Sequence, residues 1–505
     1  MFLNIDFRTF QRSRYLFSNI FFTMLKNFFK DTAVYGLASV LPRLINFGLV
    51  ALITSVFSAT AFSTQTIWYV FAAFINVILT LGLETAFFRF YTSEKDKNAV
   101  ISTSFLLLLL SSGIFLLLGL CFSEKLTQIF GFQANIFEKL LIWTTFFDTL
   151  AVIPFAYLRV TGKPVRFMVI KLVNVLSLVV FMVFFLLLIP YFLKSGSGIP
   201  ALLGIKSDFV PDVLHIFISN VAASFITLLL LAPEIFQIKW IWDKHLVKRL
   251  LNYGIPIMIG GVAYVVNENA DKLILSGIDE NANGIYAACY KLGVFMTLYI
   301  TAFRMGAEPF FFNHAGTSDA KEKYSRIMTW FVIFGSIFML GVVVFIDVFA
   351  GIFLRQDVYL SGLMIVPIIL LANLFSGIYN NLAIWYKLTD RTRFGMLISI
   401  LGAILTIVTL YIFIPIMGIM GAALSTLLTY FMMAFLSWYL GQKYYPVPYE
   451  IPKILLVIGV STTFCALSYF YFREQYIVGI LLLICYTAFI WVLEKNELKL
   501  IFQKK

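Results

Sequence analysis

Residues 101–121 have the sequence ISTSFLLLLLSSGIFLLLGLC, a run without a single charged side chain. A helix needs about 20 mostly apolar residues to cross the hydrocarbon layer of a bilayer. Similar runs recur along the chain, for example at 168–190, 214–232 and 327–346. None of them alternates apolar with polar residues as a membrane-barrel strand does. The sequence therefore predicts an all-α integral membrane protein.

The composition excludes several other classes of protein. Hydrophobic residues make up 61% of the chain and charged residues only 13%, whereas soluble domains carry about 25% charged residues. The net charge of +12 is divided among short segments between apolar runs, without the basic stripe of a nucleic-acid-binding surface, so we expect no nucleic acid as a partner. The four cysteines show no metal-binding or paired spacing and are predicted to be buried free thiols.

Fourteen membrane-spanning helices are predicted. Their ranges are 33–57, 67–90, 100–121, 137–158, 168–190, 211–232, 250–272, 284–304, 326–346, 360–386, 395–414, 417–440, 452–472 and 476–493. If the N-terminus is cytoplasmic, 29 of the 38 lysines and arginines fall in cytoplasmic segments or at the adjoining helix ends, and only six are assigned to the outer gaps in the same way. Arg43, Lys272 and Lys291 are counted within spans. This asymmetry follows the positive-inside rule and predicts a multi-pass protein of the bacterial cytoplasmic membrane with both termini in the cytoplasm.

The first 32 residues are basic and rich in phenylalanine, without the compact apolar stretch of a cleavable signal. One interpretation is an interfacial helix on the inner leaflet. The other is that translation begins at Met24.

An internal repeat divides the predicted helices into groups. The sequence GLETAFF at 82–88 and the sequence GAEPFFF at 306–312 share Gly, Glu, Phe and Phe at the same spacing, 224 positions apart. Arg-Phe recurs at 166–167 and 393–394, 227 positions apart. We therefore predict two six-helix lobes at 33–249 and 250–450, related by an axis along the membrane normal, with a site between them. Residues 451–505 would supply two accessory helices and a basic tail.

Ionised side chains within a spanning helix cost about 2.5–3.5 kcal/mol each on insertion scales, so they mark candidate functional residues. Arg43 follows a proline in the first span, with Asn46 on the same helical face. We predict that Arg43 lines a central cavity and meets an anionic group, the alternative being a structural pair with a carboxylate such as Asp148. Asp148 itself is predicted to carry a coupling proton, help to hold a cation, or form an ion pair with Arg43 or Lys291.

Two further groups of charges lie near predicted helix ends. Asn267–Lys272 closes the seventh span and contains Glu268, Asp271 and Lys272, with Lys291 at a similar depth in the eighth. Glu268 and Lys272 can pair along one helical face, so the group is either an outer gate and cavity rim or an interfacial polar cap. At the cytoplasmic boundary Glu84 and Glu308, with Arg89 and Arg304 nearby, are predicted to form equivalent ion pairs or inner-gate elements.

The segments at 35–47 (YGLASVLPRLINF), 82–90 (GLETAFFRF), 253–256 (YGIP), 271–272 (DK) and 284–286 (GIY) together resemble the polysaccharide-biosynthesis flippases. These are the O-antigen and capsule repeat-unit exporters of the multidrug/oligosaccharidyl-lipid/polysaccharide (MOP) superfamily. The resemblance implies alternating access between two lobes. It also implies a cargo of undecaprenyl-pyrophosphate-linked oligosaccharide, with Arg43 and, more weakly, Lys291 attending the pyrophosphate.

The sequence leaves several alternatives open. ATP-binding, zinc-hydrolase and serine-hydrolase motifs are missing, so a transporter without a cofactor is expected rather than an enzyme. A peptidoglycan-precursor flippase and a drug/cation antiporter of the same superfamily are the nearest rivals. A membrane-embedded glycan polymerase or ligase is more distant, since the longest outer gap (191–210) is short. A polymerase and other synthesis proteins are candidate partners beside the lipid-linked cargo and the bilayer.

Overall fold

The computed structural model describes residues 41–129, 136–314, 317–389 and 391–495. These residues form helices and connecting loops, and no strand occurs among them, which confirms the predicted all-α class. Thirteen helices in the described part are long and apolar enough to cross a membrane. A shorter apolar helix, α1 (Leu41–Val56), is the described part of the first predicted span, whose beginning lies outside the described residues.

The thirteen long helices follow the predicted order along the chain. They are α2 (Ala59–Ser93), α3 (Lys97–Ser123), α4 (Ile136–Val160), α5 (Pro164–Lys194), α6 (Val213–Leu230), α7 (Lys244–Ile278), α8 (Glu280–Met305), α9 (Ala320–Val344), α10 (Asp357–Leu388), α11 (Arg393–Met417), α12 (Ile419–Tyr444), α13 (Ile451–Tyr471) and α14 (Tyr476–Leu493).

The helices pack in two groups, which we call the first and the second lobe. In the first, α4 packs against α2, α3, α5 and α6. In the second, α12 packs against α10 and α11, and α7 packs against α8 and α11. The two groups meet where α2 lies along α7 and α8, so α2 forms much of the wall between the lobes.

Glycines allow α2 to approach the second lobe closely at two levels. Leu81 and Gly82 both have positive φ, 51° and 65°, and they divide α2 into two helical segments. A Cβ on Gly82 would lie 2.3 Å from the carbonyl oxygen of Gly254 in α7. Nearer the start of α2, a Cβ on Gly284 of α8 would lie 1.7 Å from the carbonyl oxygen of Ala59. Any side chain at these positions would push the lobes apart, which explains the glycines of the GLETAFF, YGIP and GIY segments.

A tight hairpin joins α7 to α8. Asp279, in an extended conformation, separates the two helices, and its carboxylate caps α8 by accepting a hydrogen bond from the Ala282 amide at 2.9 Å. The seventh predicted span ended at residue 272, but α7 continues to Ile278. The polar run at 267–272 therefore lies inside a helix and not at its end.

Helices α13 and α14 pack against each other and against α9, outside the two groups. A bidentate ion pair fixes their connecting loop to the second lobe: Arg473 donates to Asp347 from Nε at 3.0 Å and from Nη2 at 2.6 Å. The pair raises the pKa of the Arg473 guanidinium above its ordinary value. All four cysteines are free, as predicted, but Cys121 and Cys485 are exposed and only Cys289 and Cys465 are buried.

For orientation we define two ends of the bundle. The basic end carries the loops at 94–96, 161–163 and 231–243, and the opposite end carries the loops at 195–212 and 345–356. The basic end corresponds to the side that the charge tally predicts to be cytoplasmic.

Candidate functional site

Arg43 joins the two lobes near the basic end. Its Nη1 donates a hydrogen bond of 2.7 Å to Oγ1 of Thr301 in α8, while much of the side chain is exposed. Asn46, one turn further along α1, is also exposed. Phe47 then stacks on Phe295 of α8, with ring centroids 4.3 Å apart, so the face of α1 that carries these polar groups is turned towards the second lobe.

A stripe of polar side chains on α7 continues from Arg43 into the protein. Its members, spaced one turn apart, are Tyr264, Glu268 and Lys272, and we call them the α7 stripe. The Tyr264 side chain is 52% exposed although it interacts electrostatically with Arg43, Arg304 and Glu268 from α1, α8 and α7. Such exposure deep between three helices indicates a cavity between the lobes.

Glu268 faces the same cavity and is held in place by the second lobe. The Tyr430 hydroxyl, from α12, donates a hydrogen bond to its Oε1. Tyr290 of α8 lies beside it. Glu268 is partly exposed as a residue, and the hydroxyls of Tyr264 and Tyr290 also interact with its carboxylate.

The innermost member of the stripe is neutralised by its neighbour. Lys272 Nζ donates to Asp271 Oδ1 at 3.0 Å and to the main-chain oxygen of Glu268 at 2.8 Å. Asp271 Oδ2 accepts a further hydrogen bond of 2.6 Å from the Tyr286 hydroxyl, and the Lys272 ammonium lies 3.9 Å from the centroid of the Tyr290 ring.

This geometry corrects two predictions about the segment. The partner of Lys272 is the Asp271 carboxylate and not the carboxylate of Glu268. The interfacial-cap interpretation is wrong, because Asp271 and Lys272 are buried and the helix extends beyond them. The segment is instead an internal polar network of the second lobe.

Two more cations of α8 line the cavity at different heights. Lys291 is exposed to it and interacts electrostatically with Lys272. Arg304 is exposed near Tyr264 and also lines a pocket between α8 and α10 with Asn380 and Asn381. Because Thr301 is ten residues after Lys291, the levels of Arg43 and Lys291 are about 15 Å apart along α8. The two predicted substrate cations thus belong to one cavity but not to one binding point.

Asp148 does not join this cavity. Within the first lobe it interacts with the Ser224 hydroxyl of α6 and, electrostatically, with Lys171 of α5. Lys171 in turn lies 4.3 Å from the ring centroid of Phe155. The predicted pairing of Asp148 with Arg43 or Lys291 is therefore wrong, and the cation that faces it is Lys171.

The gate candidates at the basic end separate into different roles. Glu84 forms an ion pair with Arg159 of α4 at 2.9 Å, within the first lobe. Arg89 instead crosses to the second lobe and lies 4.5 Å from the ring centroid of Tyr253 in α7. The two residues therefore do not pair with each other, and the side chain of Glu308 lies outside the described part of the structure.

The lobes meet differently at the two ends of the cavity. At the basic end the ion pair of Glu94 with Arg249, 2.6 Å long, joins α2 to α7, with side chains 29% and 52% exposed. At the opposite end the contacts are buried: the Tyr359 hydroxyl donates to the Phe57 carbonyl at 2.9 Å and Asn283 donates to Ser63 at 2.7 Å. The polar contacts between the lobes are thus buried at the opposite end and exposed at the basic end, where buried apolar side chains of α2 and α7, among them Phe87 and Leu250, also pack together.

Tyr264 and Arg304 were not predicted as cavity residues, and the buried Tyr430 was not predicted as the partner of Glu268. Arg304 was placed at the end of the eighth span, whereas the helix continues to His314. Tyr264 has a sequence signal, since it lies one turn before Glu268 on the same face, but one tyrosine among 25 does not stand out without the fold. In the described residues, no cluster of three or more metal-ligating side chains occurs.

Comparisons with known proteins agree with this architecture. A family model described as polysaccharide biosynthesis protein matches residues 28–313, more than half of the chain. No curated protein matches the chain significantly by sequence.

Solved structures share the fold at low sequence identity. The lipid II flippase MurJ in an inward closed conformation matches with a TM-score of 0.72 and 15% identity, over 92% of this chain and 100% of that chain. A multidrug resistance MATE family transporter of the MOP superfamily in an inward-facing conformation matches with a TM-score of 0.63 and 12% identity, over 82% and 94%. A MOP superfamily transporter from Pyrococcus furiosus matches with a TM-score of 0.60 and 12% identity, over 83% and 95%. These neighbours are transporters and flippases, not enzymes.

Proposed function

The chain belongs to the polysaccharide biosynthesis protein family, and from that premise we propose that it is a flippase for an undecaprenyl-pyrophosphate-linked oligosaccharide. It carries this cargo across the bacterial cytoplasmic membrane, with both termini in the cytoplasm, by alternating access between the two lobes. The oligosaccharide is a repeat unit of a surface polysaccharide, such as the O-antigen of lipopolysaccharide. The enzymes that polymerise it are the expected partners.

The observation that carries this proposal is the set of cations along the cavity between the lobes. Arg43, Lys291 and Arg304 all reach it from α1 and α8. A pyrophosphate linker carries at least two negative charges, and removing it from water is costly unless cations and donors replace the hydration. Guanidinium groups suit this task because their fork of N–H donors matches phosphate oxygens.

The two lobes supply the movement. In the state described here Arg43 binds Thr301, and Glu94 binds Arg249, both across the basic end. Separation of these exposed contacts opens the cavity to the inner leaflet and frees the Arg43 guanidinium for the pyrophosphate. Closure, followed by rupture of the buried contacts at Tyr359 and Asn283, would release the headgroup on the other side. The long lipid tail stays in the bilayer throughout, because the polar cavity offers it no apolar lining.

We assign the remaining candidates to supporting roles. Asn46 lines the entrance beside Arg43, and Arg89 with Tyr253 belongs to the gate at the basic end. The buried group of Asp271, Lys272 and Tyr286 stiffens the second lobe beside the cavity.

A peptidoglycan-precursor flippase is the second candidate. The observation that favours it is the match to the lipid II flippase over 92% of this chain. Both cargoes share the polyprenyl pyrophosphate and differ in the headgroup, so the cations of the cavity do not distinguish them. Loss of surface glycan with intact peptidoglycan in a deletion strain supports the first candidate, and lysis with intact surface glycan supports the second. A drug/cation antiporter, the third candidate beside the match to a multidrug resistance MATE family transporter, would leave both polymers intact.

The test is deletion of the gene followed by complementation. We expect lipid-linked repeat units to accumulate on the inner leaflet and surface glycan to disappear. Wild-type protein and a control variant, Lys206→Ala in an exposed loop, restore the glycan. Arg43→Ala does not, and Arg43→Lys restores part of it, because a lysine keeps the charge and loses the fork. Normal surface glycan in the deletion strain, without a redundant flippase, would refute the proposal.

A further inference from the structure

We propose that Tyr264 and Glu268 form a carbohydrate subsite that recognises the first sugar attached to the pyrophosphate. This inference rests on the proposed function, because it names the part of the cavity that recognises the sugar of the cargo. The subsite would distinguish cargoes by their first sugar. The cations of the cavity cannot do this, because they bind only the pyrophosphate, which all polyprenyl-pyrophosphate-linked glycans share.

Tyr264 presents an accessible aromatic surface beside the charged groups of the cavity. Its side chain is 52% exposed and stands among Arg43, Arg304 and Glu268. The face of an aromatic ring carries partial negative charge, and the C–H groups on one side of a pyranose ring carry partial positive charge, so the two stack favourably. A phosphate gains nothing from such a surface.

Glu268 lies one turn from Tyr264 on the same face and supplies hydrogen-bond acceptors. One carboxylate oxygen is fixed by the Tyr430 hydroxyl, which orients the group. The nearby Lys272 ammonium binds the Asp271 carboxylate and the main-chain oxygen of Glu268. The carboxylate has about four acceptor positions, and the hydroxyls of Tyr264, Tyr290 and Tyr430 use up to three of them. A sugar hydroxyl can donate to the position that remains.

Charge decides which part of the cargo lies where. The Glu268 carboxylate repels pyrophosphate and offsets part of the attraction of Lys291, which lies deeper in the cavity than Arg43. The Arg43 and Arg304 guanidinium groups lie on the basic-end side of Tyr264 and attract the pyrophosphate there. With the linker at the arginines, the first sugar reaches Tyr264 and Glu268, one and two turns further into the cavity.

Binding of two probes by purified protein in detergent tests the inference. The probes are undecaprenyl diphosphate and undecaprenyl diphosphate carrying a single N-acetylglucosamine, titrated by microscale thermophoresis. We expect the wild type to bind the glycosylated probe about tenfold more tightly, the worth of a stacking contact with one or two hydrogen bonds. Tyr264→Ala and Glu268→Gln should bind both probes with affinities within about twofold of each other.

Matched variants separate the subsite from general damage. Tyr411→Ala removes a similarly exposed tyrosine, on the apolar face of α11 that also carries Ile404 and Val408, and should keep the tenfold preference. Tyr264→Phe should keep most of it, because the ring remains. Arg43→Ala should lower the affinity for both probes by the same factor, because both carry the pyrophosphate. If Tyr264→Ala fails to fold, Tyr264→Leu replaces it at closer volume.

Two results contradict different statements. A tenfold preference that survives in Tyr264→Ala (or Tyr264→Leu) and Glu268→Gln overturns the carbohydrate subsite and leaves the flippase proposal intact, as does equal binding of the two probes by the wild type. Failure of the wild type to bind either probe, while the protein remains folded, overturns the proposed function itself.

Discussion

At the scale of single residues, the pair of Asp271 and Lys272 shows how charge is accommodated inside this protein. Both side chains are almost fully buried, at 2% and 7% exposure. The carboxylate is saturated by Lys272 and Tyr286, and the ammonium by Asp271, a main-chain oxygen and the Tyr290 ring. Each charge is thus tolerable only while the other is present.

We predict that Asp271→Asn destabilises the protein by about 3–5 kcal/mol, because it leaves the Lys272 ammonium buried without its counter-charge. The double variant Asp271→Asn with Lys272→Met should recover much of that loss, since it buries no charge. Thermal unfolding in detergent should give the highest Tm for the wild type, a lower Tm for the double variant and the lowest Tm for the single variant. Lys291→Met, at the exposed cavity lysine, is the matched control and should unfold near the wild-type Tm. A double variant less stable than the single one contradicts this explanation.

The candidate site was predictable from the sequence as far as its most costly charges. Arg43 and Lys291 stand out because an ionised side chain within an apolar run is costly and therefore marks a candidate functional residue. The partners do not stand out: Lys171 faces Asp148, and Arg159 binds Glu84. Such pairs join helices far apart in the sequence, so no local spacing encodes them.

At the scale of the helices, close contacts through glycine determine how α2 meets the second lobe. Gly284 faces the Ala59 carbonyl, and Gly82 faces that of Gly254, too closely in each case for a Cβ. The first crossing lies towards the opposite end of the cavity and the second towards the basic end. Each glycine therefore sets the separation of the lobes at its own level.

We predict that Gly284→Ala destabilises the closed opposite end and lowers the Tm, because a Cβ would lie 1.7 Å from the Ala59 carbonyl oxygen and the backbones must separate. Gly277→Ala in α7 is the control: no atom lies within 4 Å of the point that its Cβ would occupy, so the added methyl should leave stability unchanged or raise it by up to about 1 kcal/mol. Equal Tm values for the two variants would show that the lobes do not depend on this contact.

The positions of the helices were predictable from the sequence, because an apolar run of about 20 residues in a bilayer satisfies its backbone hydrogen bonds only as a helix. The predicted fold class and helix order are confirmed. The errors fall where tertiary contacts override local polarity. The seventh span was ended at 272, but Asp271 and Lys272 neutralise each other and α7 continues to Ile278. The second span was drawn as one helix, while Leu81 and Gly82 break it at the crossing with α7.

The accessory helices depend on an ion pair at one end, and this gives a prediction at the same scale. Asp347→Arg should lower the Tm, because two arginines then face each other where Arg473 now makes three short contacts with the carboxylate. The exchanged pair, Asp347→Arg with Arg473→Asp, should restore part of the loss. Circular dichroism during heating in detergent measures both. No recovery in the exchanged pair would mean that the loop is held by its packing and not by the charges.

At the scale of the whole molecule, the two ends of the cavity are closed by contacts of different strength. An exposed ion pair such as Glu94 with Arg249 contributes about 0–1 kcal/mol. A buried hydrogen bond such as that of Tyr359 to the Phe57 carbonyl contributes about 0.5–1.5 kcal/mol, and Gln356 Nε2 also donates to this carbonyl at 3.2 Å. The polar contacts therefore resist opening less at the basic end, the side from which the proposed cargo enters, while the apolar contacts of α2 with α7 must also separate there.

This asymmetry predicts opposite effects for two conservative variants. Glu94→Gln removes charge from the basic end and should raise the population open at that end by up to about fivefold. Tyr359→Phe removes one buried hydrogen bond and should raise the population open at the opposite end. The reporter is a cysteine in place of Asn46, with the exposed Cys121 and Cys485 replaced by serine. It is labelled by a membrane-impermeant maleimide in inside-out membrane vesicles, so that the reagent reaches only the basic end. Faster labelling with Glu94→Gln but not with Tyr359→Phe is the expected result. Equal acceleration by both variants would mean that the two ends open together, and alternating access would then need a different pair of gates.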